Sequence, residues 1–174
     1  MIDRPCESKL VVGASLMSHR SVDFSLQPSR NFVRHYLPDG TWQTTVTEAM
    51  TRQFSIHGGV RSGNNLFHSF SQFSISTGGS AVFNNPLDIQ TIFSRVTGTT
   101  QSSIDGLIKA NGTASLFLMN PNGILFGPNA KLDIGGSFIG TTATRIKFTD
   151  GVSFSANETT PNPLLTVSVA IGLD

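Results

Sequence analysis

Few residues in this chain are of types that do chemistry. Asp88, Asp105, Asp133 and Asp150 are the acids that would serve a carbohydrate-cleaving site. Glycosidic chemistry needs two such carboxyls within several ångströms of each other across a groove. Along the sequence they are isolated, and most stand beside glycine or in turns, as in Asp105-Gly106, Asp150-Gly151 and Pro38-Asp39-Gly40. Turn formation accounts for that placement without a reaction. His19, His35, His57 and His68 show no metal-ligand spacing with Cys6 or with any acid, so no zinc site is expected. His68, beside Phe67 in an alternating stretch, reads as a hydrogen-bonded wall residue. Gly58 to Gly63 lacks the Lys-Ser/Thr that a phosphate loop requires, and no cofactor is expected. Asn111-Gly112-Thr113 and Asn157-Glu158-Thr159 fit the glycosylation sequon, a pattern frequent by chance in an Asn/Thr-rich chain.

The informative residues are corners rather than reagents. Asn120-Pro121-Asn122-Gly123 and Gly127-Pro128-Asn129 are proline turns flanking the apolar triplet Ile124-Leu125-Phe126. Proline presets φ near −65° at one position, and the Asn or Gly that follows tolerates the positive φ that closes the turn. Leu116 to Met119 precedes this block, and Leu132 to Ile134 and Ser137 to Thr141 follow it. Short apolar strands punctuated by Asn/Gly/Pro corners predict a solenoid whose rungs take roughly 20–25 residues each. Asn111, Asn120 and Asn129 are expected to stack at equivalent corners, with their amides satisfying one another.

Composition agrees with strands. Charged residues are 13% of the 174, net charge is +1, and there are 13 Phe against one Trp and one Tyr. Phenylalanine at that excess predicts rings stacked in a dry interior. The 12 Lys and Arg are scattered, which supplies no basic face for nucleic acid. One cysteine, Cys6, cannot form an internal disulfide. No apolar run approaches the length of a membrane-spanning helix, and Gly13, Ser15 and His19 interrupt any hydrophobic region of a signal peptide.

Residues 1–36 have no steady periodicity and stay unassigned. Residues 37–174 are expected to form one domain, with a cap and first coils over 37–100 and regular coils over 101–174. Strands are predicted at Thr41–Val46, Phe54–Ile56, Phe67–Ile75, Ala81–Phe83 and Ile92–Val96. Further strands are predicted at Leu107–Lys109, Arg145–Phe148, Val152–Phe154 and Leu164–Ile171. Asn85-Pro86 with Asp88 predicts a single helical turn before Ile92. The absence of a cap after Leu173 reads as a fragment of something longer.

These residues resemble the N-terminal secretion (TPS) domain of the filamentous haemagglutinin family, the exoproteins of bacterial two-partner secretion. Asn120 to Ile124 reproduces that family's N-P-N-G-I box; Phe93 to Gly98, Ile104-Asp105-Gly106, and Phe126 to Ala130 with Gly135-Gly136 support it. Gly63 to Phe70 resembles the cyanobacterial branch. The second family box, N-P-N-L, is present only as Asn84-Asn85-Pro86-Leu87. The resemblance implies an all-β, right-handed parallel β-helix with an N-terminal β cap and little helix. It implies a non-enzymatic role: an adhesin- or haemagglutinin-like exoprotein recognised by the periplasmic POTRA domains of an outer-membrane transporter, then secreted or displayed at the cell surface. Asn120, Pro121, Asn122, Gly123, Ile124, Asn84, Asn85, Pro86 and Leu87 are the candidate recognition residues, and the isolated domain is expected to be a monomer. A carbohydrate-active or carbohydrate-binding β-helix and a structural adhesive module are the alternatives.

Overall fold

A three- or four-residue apolar strand cannot bury its own side chains, and its backbone groups need partners on both edges; stacking one rung on the next meets both needs. The computed structural model describes residues 36–50, 52–158 and 171–172, all within one compact unit spanning residues 33–174. Residues 1–35, with Cys6, His19 and His35, and most of the predicted strand 164–171 lie outside the described residues.

The described strands make a parallel β-solenoid with three faces. The first face stacks β5 (Asn65–Phe73), β7 (Thr91–Val96), β10 (Ser115–Met119) and β13 (Phe138–Thr141), with Leu66, Ile92, Leu116 and Phe138 in one register column. The second pairs β8 (Ser102–Ile104) with β11 (Ile124–Phe126), and Ile75 bridges to Ile104. The third stacks β3 (Gln53–Gly58), β6 (Ser80–Phe83), β9 (Leu107–Ala110) and β12 (Lys131–Asp133). Equivalent positions in neighbouring rungs lie 22 to 29 residues apart. Side chains alternate inward and outward, so the inward columns, among them Phe70–Val96 and Ile75–Ile104, form a dry core.

One end of the solenoid is sealed by antiparallel strands. Strand β2 (Thr44–Met50) pairs with β3, while β1 (Tyr36–Pro38) and β4 (Val60–Ser62) pair with β5. The predicted strand from Thr41 begins later, at Thr44. No helix occurs among the described residues: the expected helical turn is a bend through Leu87 and Asp88, closed by Ile89 N–H donating to the Pro86 carbonyl at 3.1 Å.

The first face also carries an apolar column on its outside. Phe67, Phe93 and Phe117 stack in register with ring centroids 5.1 and 5.0 Å apart. An outward stripe of three rings needs a cover, since burying each ring stabilises by about 2–3 kcal/mol. The cover is a hairpin of β14 (Arg145–Phe148) and β15 (Ser153–Ser155), flanked by β16 (Ile171–Gly172). Its alternation buries Ile146 and Phe148 and leaves Arg145 and Lys147 exposed, and Phe148 and Phe154 meet the column edge-on. The sequence reading made 145–148 and 152–154 sides of a coil; they instead pair antiparallel outside it. A tight turn closes the hairpin. Gly151 takes a φ of 84°, its N–H reaches the Phe148 carbonyl, and Asp150 accepts from Val152 N–H, which reverses the chain in a hairpin turn.

Candidate functional site

The two sequence boxes fall at different corners of the solenoid, one before and one after strands of the first face. Asn120 to Gly123 links β10 to β11. The Asn120 side chain points inward and is fully buried; its amide donates to the Thr100 carbonyl at 3.0 Å and to Ser102 Oγ at 2.9 Å. Its Oδ1 accepts from Asn122 N–H at 2.9 Å, and its carbonyl accepts from Gly123 N–H. Gly123, not Asn122, takes the positive φ, 110°. Pro121 is half-buried, Ile124 packs against the core, and Asn122 is exposed. Its amide is nonetheless committed, donating to the Gly98 carbonyl in the rung before at 2.7 Å.

Asn84 to Leu87 links β6 to β7. Asn85 is buried: its Oδ1 accepts from Asn111 N–H at 2.9 Å, and its amide donates to the Asn111 and Pro86 carbonyls. Asn111 returns the contact, its amide donating to Asn84 Oδ1 at 3.0 Å and to the Asn85 carbonyl. On this base Pro86 is exposed and Leu87 is 78% exposed, resting over Gly112. Arg61 pairs with the neighbouring Asp88, and this hydrogen bond holds the carboxyl below its usual pKa.

The expected stack of Asn111, Asn120 and Asn129 does not form. Asn111 lies at the Asn85 corner, Asn120 at the corner after β10, and Asn129 at the corner after β11. There Asp105 accepts from Asn129 N–H at 2.9 Å and from Thr77 Oγ. The Thr77 and Asn129 bonds lower the Asp105 pKa. The three corners use similar Asn/Gly residues for different reasons: Gly112 and Gly123 take positive φ, 66° and 110°, whereas Gly127 does not and is instead closely approached by the Asp105 carboxyl; local sequence does not say which corner a turn occupies.

Sequence reasoning missed a polar cluster under the hairpin. Arg95 is 1% exposed, with its guanidinium 5.1 Å from the Trp42 ring and 5.2 Å from the Phe154 ring. It donates to Ser69 Oγ at 2.7 Å and to the Ser155 carbonyl. Ser69, Thr97 and Thr41 hydroxyls in turn donate to Asp39. Burial raises the Asp39 pKa, but the bonds from Ser69, Thr41 and Thr97 outweigh it and hold the carboxyl below its usual range. The cluster ties the turn at 38–42, the first face and the hairpin together. Only Pro38-Asp39-Gly40 advertised any of it, as a turn, and Gly40 indeed carries a φ of 79°.

Among the described residues His68 is the other buried titratable group. It sits inside the solenoid in the column His68–Ser94–Leu118, with Nδ1 3.3 Å from Thr44 Oγ1 and its ring against Phe70 and Phe83. Burial pushes its pKa down to about 3. The described aspartates each have separate partners: Asp39 the hydroxyl cluster, Asp88 Arg61, Asp105 Asn129, Asp133 Lys109, and Asp150 Val152. Among the described residues no group of three or more His, Cys, Asp or Glu is placed to hold a metal.

The corners are braced by side-chain hydrogen bonds to the adjoining rungs. No curated protein matches the chain. A family model for the TPS secretion domain matches residues 34–174, the greater part of the sequence and every described residue. A parallel solenoid with the Asn120 to Ile124 corner in place, matched over this span, belongs to the TPS secretion domain family.

Proposed function

We propose that this domain is the export signal of an adhesin-like exoprotein, read in the folded state by the POTRA domains of its outer-membrane transporter, and that it has no catalytic activity of its own. Membership of the family places the chain in two-partner secretion, in which an exoprotein and a partner transporter act together and the exoprotein passes through the periplasm to the cell surface. The observation that carries the finer reading is the division of labour at the Asn85 corner. Asn85 is consumed in holding the corner, whereas Leu87 projects from it at 78% exposure with no hydrogen-bonding duty. A large apolar side chain on a braced turn is the kind of anchor a partner's pocket recognises.

The two boxes then have separable roles. Asn120→Ala leaves the Ser102 hydroxyl and Thr100 carbonyl short of a donor, so it should lower the folding stability by the cost of buried unsatisfied groups, about 1–3 kcal/mol. Leu87→Ser should weaken POTRA binding while the melting temperature stays put. Affinity measured beside thermal unfolding for both variants is the test. Unchanged affinity in Leu87→Ser and in Asn122→Ala alike would overturn recognition through these corners.

A further inference from the structure

The hairpin over the Phe67–Phe93–Phe117 column is held differently from the coils it covers. Its strands pair with one another in the order β15-β14-β16, and no described coil strand joins that sheet. Its turn and base close on their own backbone: Phe148 N–H donates to the Val152 carbonyl at 2.8 Å, and Ala156 N–H to the Thr144 carbonyl at 2.9 Å. The coils keep a separate core inside the solenoid, with Leu66, Ile92 and Leu116 along its first face. Phe148 and Phe154 belong to the outer cluster and take no part in it. Lifting the hairpin therefore leaves the ladder of β5, β7, β10 and β13 with its own backbone bonds and its own core.

Closure is a balance of opposed terms. In its favour, the rings of the column leave water against Phe148 and Phe154. Against it, the Arg95 guanidinium is taken out of water, with the Ser69 and Thr41 hydroxyls and the Ser155 carbonyl as its hydrogen-bond partners. Trp42 Nε1 is buried with no hydrogen-bond partner. Desolvating a charge and an unmet donor costs free energy that opening returns. We propose that residues 144–156 form a strap that opens and closes as one unit on an intact solenoid, with Arg95 as its latch. The latch reads two distant parts of the chain at once. The guanidinium lies between Trp42 of the turn at 38–42 and Phe154 of the hairpin, 5.1 and 5.2 Å from the two rings, and its bond to the Ser155 carbonyl joins them. Closed, the strap presents Arg145 and Lys147 to solvent. Open, it uncovers an apolar stripe with a guanidinium beside it. The first face changes character without a coil being rebuilt.

The test is hydrogen exchange on the full 174-residue chain, read beside the emission of Trp42, its one tryptophan. In the parent, amides of residues 144–156 should exchange together, about tenfold or more faster than those of β7 and β10, as a sub-global opening requires. Gly151→Ala is a gentle perturbation, because an added Cβ meets nothing within 4 Å and only the turn's φ of 84° is strained. It should lower protection of 144–156 about tenfold further and leave β7 and β10 unchanged. Arg95→Lys keeps the charge but loses the planar fork. It should lower protection of the hairpin relative to the coils and move Trp42 emission to longer wavelength. Binding of the apolar dye anilinonaphthalene sulfonate should rise in both variants as the column is uncovered. Equal protection of hairpin and coils in the parent, or a uniform fall across both in Gly151→Ala, would overturn the strap. Hairpin protection that keeps its parent ratio to the coils in Arg95→Lys would overturn the latch.

Discussion

Acid should unfold this domain in a window set by His68. The ring is 1% exposed, packed against Phe70 and Phe83, and bonded to the Thr44 hydroxyl; no charged group is among its described contacts. With the folded pKa pushed down to about 3 against 6.5 in the unfolded chain, the native ring stays neutral while the unfolded ring takes a proton. The sign follows: stability from this group is complete above pH 6.5 and is lost as pH falls from there toward 3. At pH 5 the unfolded state gains about 1.5 pH units of protonation free energy that the native state does not share, or about 2 kcal/mol. For a domain of this size that moves a urea midpoint by about 1 M. The carboxyls whose pKa values are lowered, Asp39, Asp88 and Asp105, add their losses in the same direction, but around and below their ordinary pKa of 3.8, so the interval from pH 7 to 5 isolates the histidine. Equilibrium urea unfolding at both pH values, for the parent and for His68→Leu, is the assay. His68→Leu suits the column, whose third member is Leu118, and should flatten the difference. A parent midpoint that does not move between pH 7 and 5, or a His68→Leu protein that keeps the full shift, would refute the account of a neutral buried ring.

Arg95→Met should destabilise by about 3 kcal/mol, because it removes the bonds to Ser69 and Ser155 and leaves Asp39 without a nearby buried cation. Hydrogen exchange should show residues 144–156 losing protection before the strands of the first face. Gly98→Ala should cost more than Gly123→Ala although only Gly123 has a positive φ. An added Cβ at Gly98 would meet the Ser71 carbonyl oxygen at 2.1 Å, whereas at Gly123 it finds nothing nearer than 3.8 Å and costs about 1–2 kcal/mol of backbone strain. Chemical denaturation of the two variants side by side decides the order.

The sequence disclosed what depends on local torsion and on alternation. Pro121-Asn122-Gly123 had to be a corner, since proline fixes one φ and glycine frees another, and Leu116 to Met119 had to be a strand buried on both sides. It did not disclose what depends on closure in three dimensions. Asp150-Gly151 looks like every other corner, yet it reverses the chain because β14 has no rung to join and pairs back on β15. Arg95 lies in the predicted strand Ile92–Val96, two residues from Phe93, and nothing in that stretch marks it as buried. Its burial follows from Trp42 and Phe154, 53 and 59 residues away along the chain, arriving over the same spot. No window of neighbouring residues carries that information.

The corners join fold and recognition in a way that constrains both. A solenoid side chain at a corner either satisfies the backbone of the adjoining rung or faces outward, and the amides of Asn85, Asn111, Asn120 and Asn122 are all spent on the former. Substituting them perturbs stability first, so loss of export in such variants would say little about contact with a transporter. The positions able to report contact are those whose backbone is fixed by neighbours while their own side chain holds nothing in place. Leu87 meets that condition: Pro86 and the bond from Ile89 fix its turn, and the Asn85–Asn111 pair fixes the floor beneath it. A recognition surface built on such positions can vary its side chains without disturbing the rung below.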